Sequence, residues 1–172
     1  MKVLGLDSSG LVAGVALIQD DVLIAEYTTD YKKTHSQTLL PMLDELRRMV
    51  DLDLKSIDLI AVAAGPGSFT GLRIGSATAK GLGLALDIPL AAVPTVDAIA
   101  YNLYGCEQLI CPMMDARRGQ VYTGIYTLKV TNETVYSYKC VDLYNNSTYV
   151  INPSKSVDIK NLPCNLTNSI GF

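Results

Sequence analysis

Two stretches hold residues whose types and spacing suit phosphate chemistry: "DSSG" at 7–10 and "GPGSFT" at 65–70. Asp7 offers a carboxylate for a metal, while the Ser8 and Ser9 hydroxyls and the backbone amides up to Gly10 could face a phosphate. The same four residues also make ordinary turns. In the second stretch Gly65 and Gly67 flank Pro66, which suits a sharp corner from a strand into a helix. The amino terminus of that helix, with Ser68 and Thr70, could accept an anion. Standard phosphate loops are excluded by spacing. A Walker A loop places four residues between its glycines and then Lys-Ser/Thr, whereas five separate Gly65 from Gly71 and Leu72-Arg73 follow. A G-x-G-x-x-G pattern fails at Thr70.

Other chemistry has less to work with. His35 is the one imidazole, at an expected helix start, with no second His a turn away, so a surface or capping role suits it better than a metal or a catalytic triad. Asp20 with Asp21, and Asp51 with Asp53, fall in expected loops beside lysine or turn residues and read as solvated. Cys106, Cys111, Cys140 and Cys164 contain no C-x-x-C pair and are expected as reduced thiols. No catalytic residue and no metal site is assigned.

The helix after the glycine corner has an unusual surface. Gly71, Gly75, Ala79 and Gly83 recur every four residues and form one small-residue ridge that lets another backbone come close. Glycines at 71, 75, 81 and 83 inside a helix cost about 3–4 kcal/mol relative to alanine, which implies tight packing as compensation. The chain's own sheet or another protein could supply that packing, and the sequence alone favours the sheet. Arg73 lies near the positive end of the helix dipole, so a carboxylate, a backbone oxygen or a partner group is expected to hold it.

These residues need elements to place them. Val3 to Asp7, Val12 to Ile18 and Val22 to Thr28 read as a three-strand meander with turns at "SSG" and "QDD". A helix follows whose apolar face carries Leu39, Met42, Leu43, Leu46, Met49 and Val50. Thr34 and Gln37 suit a capping box at its start, yet Pro41 implies a kink or a start near Thr38. Residues 58–65 read as a buried strand, 68–87 as a helix, 89–94 as a strand and 95–104 as a short helix. This is an α/β lobe with a mixed sheet. From Leu109 two strands about "RRGQ" and a third, tyrosine-rich strand suggest a second lobe, so the expected division is 1–104 and 105–172. After Tyr144 the chain is polar and turn-rich, and no fold is assigned to it.

The 172 residues suffice for one domain or two small lobes, and a formal charge of −3 leaves no electrostatic footprint for nucleic acid. Any contact with RNA would need a basic partner. No apolar run reaches the length of a membrane span or a secretory signal, so a cytoplasmic protein is expected.

Taken together, "LGLDSSG", "THSQTLLPMLDELRRM", "GPGSFTGLRIGSATAKGLGLAL" and "MMDARRGQVYTGIY" resemble the bacterial TsaB, or YeaZ-type, family of tRNA threonylcarbamoyladenosine biosynthesis, in order from residue 1 to about 128. The resemblance implies an actin-like ATPase fold of the ribonuclease H-like, sugar-kinase and Hsp70 kind. Its phosphate-facing turn would be Asp7 to Gly10, and its second lobe looks shortened or divergent at the carboxyl end. It implies a non-catalytic scaffold that activates a TsaD-like paralogue, with a TsaE-like ATPase as a further partner. The product would be threonylcarbamoylated adenosine next to the anticodon of tRNAs reading codons that begin with A, and tRNA would be met only through the complex.

In TsaD-like chains a His-x-x-x-His metal pair follows the strand corresponding to 89–94. Here Thr95 and Ile99 stand at those places, and neither replaces a neutral imidazole. ATP with magnesium would therefore belong to the TsaD-like partner more than to this chain. The resemblance also places both first-lobe helices, Thr38 to Val50 and Phe69 to Ala85, against that partner or, in its absence, a second copy. The interface set is then Leu39, Met42, Leu43, Leu46, Gly71, Arg73, Gly75, Ala79 and Gly83. Asp7, Ser8, Ser9, Gly10, Gly65, Gly67, Ser68 and Thr70 become a vestigial nucleotide site. The alternative is a working nucleotide-binding phosphotransferase or ATPase that uses those same eight residues.

Overall fold

The structure, a computed structural model, describes residues 1–30, 34–117, 120–128, 136–142 and 147–151. The chain divides into two compact units, Met1–Thr95 and Val96–Phe172.

The first unit opens with the meander β1 (Lys2–Asp7), β2 (Ala13–Gln19) and β3 (Val22–Thr29). Asp20 and Asp21 both have positive φ, 49° and 67°, as the two central residues of the β2–β3 turn. A two-residue hairpin of matching twist needs this conformation, and Asp tolerates it. Asp20 also accepts a hydrogen bond from the Met1 ammonium, which holds its carboxyl below the usual carboxylate range.

Helix α1 (His35–Met49) follows, then β4 (Leu59–Gly65), α2 (Phe69–Leu86) and β5 (Leu90–Pro94). The five strands form one sheet in the order β3-β2-β1-β4-β5. β1 pairs antiparallel with β2 and parallel with β4, and β4 pairs parallel with β5. Alternation along these strands sends Leu4, Leu6, Val15, Leu17 and Ile60 to one face, which α1 and α2 cover.

Helix α1 runs unbroken through Pro41, against the expected kink or later start. The carbonyl deprived of a partner by Pro41 is that of Gln37, an exposed residue, so water can satisfy it. Thr34 is the residue before the helix, but no capping box forms. Its hydroxyl meets Ser36 Oγ at 3.1 Å instead of a backbone amide. Asp51 and Asp53 shape the exit: Asp51 takes a left-handed φ of 49°, and Asp53 accepts from Lys55 N at the start of a short 3-10 turn, Leu54–Ser56. Asp87, in the left-handed region, ends α2.

In the second unit α3 (Thr95–Tyr101) starts at the boundary. Its Val96 and Ala100 pack with Ile110 and Tyr126, and the Tyr126 hydroxyl donates to Asp97 Oδ1 at 2.9 Å. The division expected from the sequence, after residue 104, lies later in the chain than this boundary. Strands β6 (Met113–Arg117) and β7 (Gln120–Thr123) pair antiparallel, while β8 (Tyr126–Leu128), β9 (Tyr136–Asp142) and β10 (Ser147–Ile151) form a separate sheet in the order β10-β9-β8. The single strand expected after "RRGQ" is thus two, β7 and β8. Residues 118–119 of that turn and 152–172, where a shortened end was expected, lie outside the described residues.

Candidate functional site

Parallel pairing brings the carboxyl ends of β1 and β4 to the same edge of the sheet, the place where open α/β sheets hold their ligands. The two stretches singled out by their chemistry, 7–10 and 65–70, follow those ends and pack on one another. Ser68 N donates to the Ser9 carbonyl at 2.6 Å. The Ser8 hydroxyl donates to the Gly71 carbonyl at 2.9 Å, and Ser68 Oγ accepts from Gly71 N at 3.2 Å. Asp7 Oδ1 accepts from Ser9 N at 2.8 Å, closing the turn on itself. Of the eight expected residues these contacts join Asp7, Ser8, Ser9, Gly67 and Ser68, with Ser8 and Ser9 both only 2% exposed, and Gly10, Gly65 and Thr70 adjoin them in the chain.

This corner is filled by the chain itself. A Cβ on Gly67 would lie 2.5 Å from the Ser9 carbonyl oxygen, and one on Gly71 would overlap the Ser8 carbonyl oxygen. Two backbone acceptors thus stand at the amino end of α2, where an anion would need donors. His35 joins the same turn: its Nε2 donates to the Gly10 carbonyl at 2.9 Å. Nothing in the spacing of residues 10 and 35 signals that bond, because the meander between them decides it.

Most of the expected interface residues lie inside the lobe. Leu39 and Leu46 are 1% exposed and Met42 and Leu43 are 4% exposed, all within the core under α1. Gly71, Gly75, Ala79 and Gly83 form the buried side of α2. Added Cβ atoms would strike Ser8 from positions 71 and 75, and the Ile88 carbonyl and Leu90 from position 83. The ridge lets α2 approach its own sheet, because a helix on a sheet spends its apolar or small face internally first. Of the nine expected interface residues only Arg73 is exposed. Among the described residues neither a carboxylate nor a backbone oxygen holds it, and it lies over the Phe69 ring, 4.2 Å from the centroid. Their i, i+4 spacing on the helix makes that contact legible in sequence.

Gly81 differs from the other costly glycines. It is exposed, and a Cβ there would meet nothing within 4 Å. Gly81→Ala is expected to stabilise the lobe by about 0.5–1 kcal/mol through helix propensity, read as a higher thermal midpoint by circular dichroism.

Among the described residues there is no group of three or more His, Cys, Asp or Glu that could hold a metal. Cys106 and Cys111 are free thiols. No helix of the described residues is long and apolar enough to cross a membrane.

Comparison with known proteins decides the family. Residues 23–156 match the sequence family described as "TsaD: tRNA N6-adenosine threonylcarbamoyltransferase". YeaZ from Pseudomonas aeruginosa superposes with a TM-score of 0.70 at 31% identity, covering 91% of this chain and 70% of that one. The chain belongs to the YeaZ-type family. Its lobe of five mixed strands and covering helices is thus the actin-like, ribonuclease H-like fold of that family. The tRNA threonylcarbamoyladenosine biosynthesis protein TsaB of Bacillus subtilis is 45% identical over 129 residues, 75% of this chain and 56% of the relative. TsaB of Escherichia coli is 33% identical over 73% of this chain and 55% of its own length. The chain spans about half the length of these curated relatives.

Proposed function

We propose that this chain serves threonylcarbamoylation of tRNA as a scaffold without a catalytic site of its own, pairing with a TsaD-like transferase alongside a TsaE-like ATPase. The mutual satisfaction of the two turns carries this reading. At the sheet edge where an actin-like protein would hold a nucleotide phosphate, Ser68 N, Gly71 N and the Ser8 hydroxyl all bond within the chain. Thr95 and Ile99, where TsaD-like chains carry imidazoles, support it further. The paralogue then supplies nucleotide, metal and transfer chemistry, and tRNA reaches this chain only through the complex.

The pairing surface is the outward side of α1 and α2. Helix α2 there exposes Leu84 at 89% and opens a gap at Gly81, while α1 exposes Leu40 at 51% and Met49 at 70%. In the absence of the paralogue the same surface joins two copies.

Reconstitution tests the role. With a TsaD-like transferase, a TsaE-like ATPase, the threonylcarbamoyl donor and tRNA, leaving out this chain is expected to abolish modification. Full modification without it overturns the reading. Calorimetry of the chain alone with Mg-ATP is expected to show no binding at millimolar nucleotide, and tight binding would favour a nucleotide-using enzyme instead.

A further inference from the structure

Helix α1 begins with little local support. Thr34, the residue before it, makes no side-chain bond to a backbone amide, and the first turn holds no acidic residue to complement the helix dipole. Pro41 has no N–H to offer the Gln37 carbonyl, so this turn also lacks one of its own bonds. A turn so poorly bonded frays unless tertiary contacts hold it.

Two contacts hold it. Leu39 is buried at 1% exposure, and His35, the first residue of α1, donates from Nε2 to the Gly10 carbonyl at 2.9 Å. A carbonyl only accepts, so the neutral ring carries its proton on Nε2 in this geometry.

The Gly10 end of the bond is itself fixed. Asp7 Oδ1 accepts from Ser9 N at 2.8 Å, and Ser8 and Ser9 are each 2% exposed. The same short segment is fastened to the start of α2: the Ser8 hydroxyl donates to the Gly71 carbonyl, and the Ser9 carbonyl accepts from Ser68 N. Consecutive residues thus hold the first turns of both helices, Ser8 and Ser9 that of α2 and Gly10 that of α1. Leu40, exposed at 51%, follows directly on the clasped turn of α1, so the clasp sets its spacing from the outward side of α2.

We propose that His35 is a positioning residue: through its bond to Gly10, the 8–10 turn fixes the start of α1 against the start of α2, and with it the spacing of the two outward helix sides. The clasp belongs to the chain alone, and only its effect on the TsaD-like partner rests on the pairing role described above.

His35→Gln keeps a donor at the place of Nε2, whereas His35→Leu fills similar space without one. The position is half-buried, and unmoved signals along β1 and β4 verify folding of each variant. By NMR of the isotope-labelled parent, the His35 ring is expected to carry a slowly exchanging proton on Nε2, a measurement that needs no variant. In His35→Leu the amides of Gln37, Leu39 and Leu40 are expected to exchange with deuterium at least about tenfold faster, and the Ser68 and Gly71 signals to move, while His35→Gln stays close to the parent. Calorimetry with the TsaD-like transferase is expected to show affinity at least about tenfold weaker for His35→Leu and within about threefold of the parent for His35→Gln. A fast-exchanging ring proton, unmoved Ser68 and Gly71 signals, or a glutamine variant that behaves like the leucine one would each overturn the clasp. Parent-like affinity of His35→Leu overturns its effect on pairing when Gly81→Leu, outside the clasp, does weaken binding. If neither variant weakens binding, the pairing surface itself is elsewhere, and the exchange and shift measurements still decide the clasp.

Discussion

Gly75→Leu is expected to destabilise the first lobe strongly, not to detach a partner from an equally stable monomer. The Cβ alone would stand 2.6 Å from Ser8 Oγ and 3.6 Å from Val62 Cγ2. Ser8 cannot simply move aside, since its hydroxyl is buried and bonded to the Gly71 carbonyl. Val62 is held in β4 between β1 and β5. Overpacking a core costs about 1–3 kcal/mol even for modest additions, and orphaning the Ser8 hydroxyl adds about 1–3 kcal/mol. Against a domain stability of about 5–15 kcal/mol, the sum of about 2–6 kcal/mol removes a large share of the stability and lowers the melting midpoint. Thermal melting by circular dichroism measures it. A variant that melts like the parent while losing self-association would show that position 75 faces outward after all.

Gly81→Leu, six residues along the same helix, is expected to do the opposite. No atom lies within 4 Å of a Cβ at position 81, so the side chain enters solvent. Leaving glycine gains about 0.5–1 kcal/mol of helix propensity, and the lobe stays folded. The cost falls on pairing: a leucine there blocks close approach of a partner helix across the outward side of α2. Affinity for the TsaD-like partner, measured by sedimentation or calorimetry, is expected to fall at least about tenfold, or roughly 1.4 kcal/mol. Unchanged affinity would place the pairing surface elsewhere. The two leucine variants therefore separate packing from docking within one helix.

Much of the first lobe was legible from residue order alone. Alternating Leu4, Leu6, Val15 and Leu17, the stripe from Leu39 to Leu46 and the polar turn at Asp20 and Asp21 act over a few residues, and the elements they imply are the ones observed. Local rules failed where distance intervened. Pro41 sits inside α1 because core packing of Leu39, Met42, Leu43 and Leu46 outweighs one lost hydrogen bond at an exposed carbonyl. The strand after "RRGQ" splits because Tyr126 leaves the β6–β7 pair to bond with Ile110.

The candidate site divides in the same way. By itself the sequence determined that no standard phosphate loop exists and that a ridge of small residues must pack closely against something, while the family resemblance implied that Thr95 and Ile99 stand where imidazole ligands would be. A four-residue period shows that a face is small but carries no information about what meets it. Only the tertiary structure decided that the partner of Gly71, Gly75 and Gly83 is the chain's own Ser8, Ile88 and Leu90. The parallel β1–β4 pairing lays the 7–10 turn across the start of α2, and that pairing is a contact between residues more than fifty positions apart. The same placement turned Gly81, Leu84, Arg73 and Lys80 away from the sheet and into solvent.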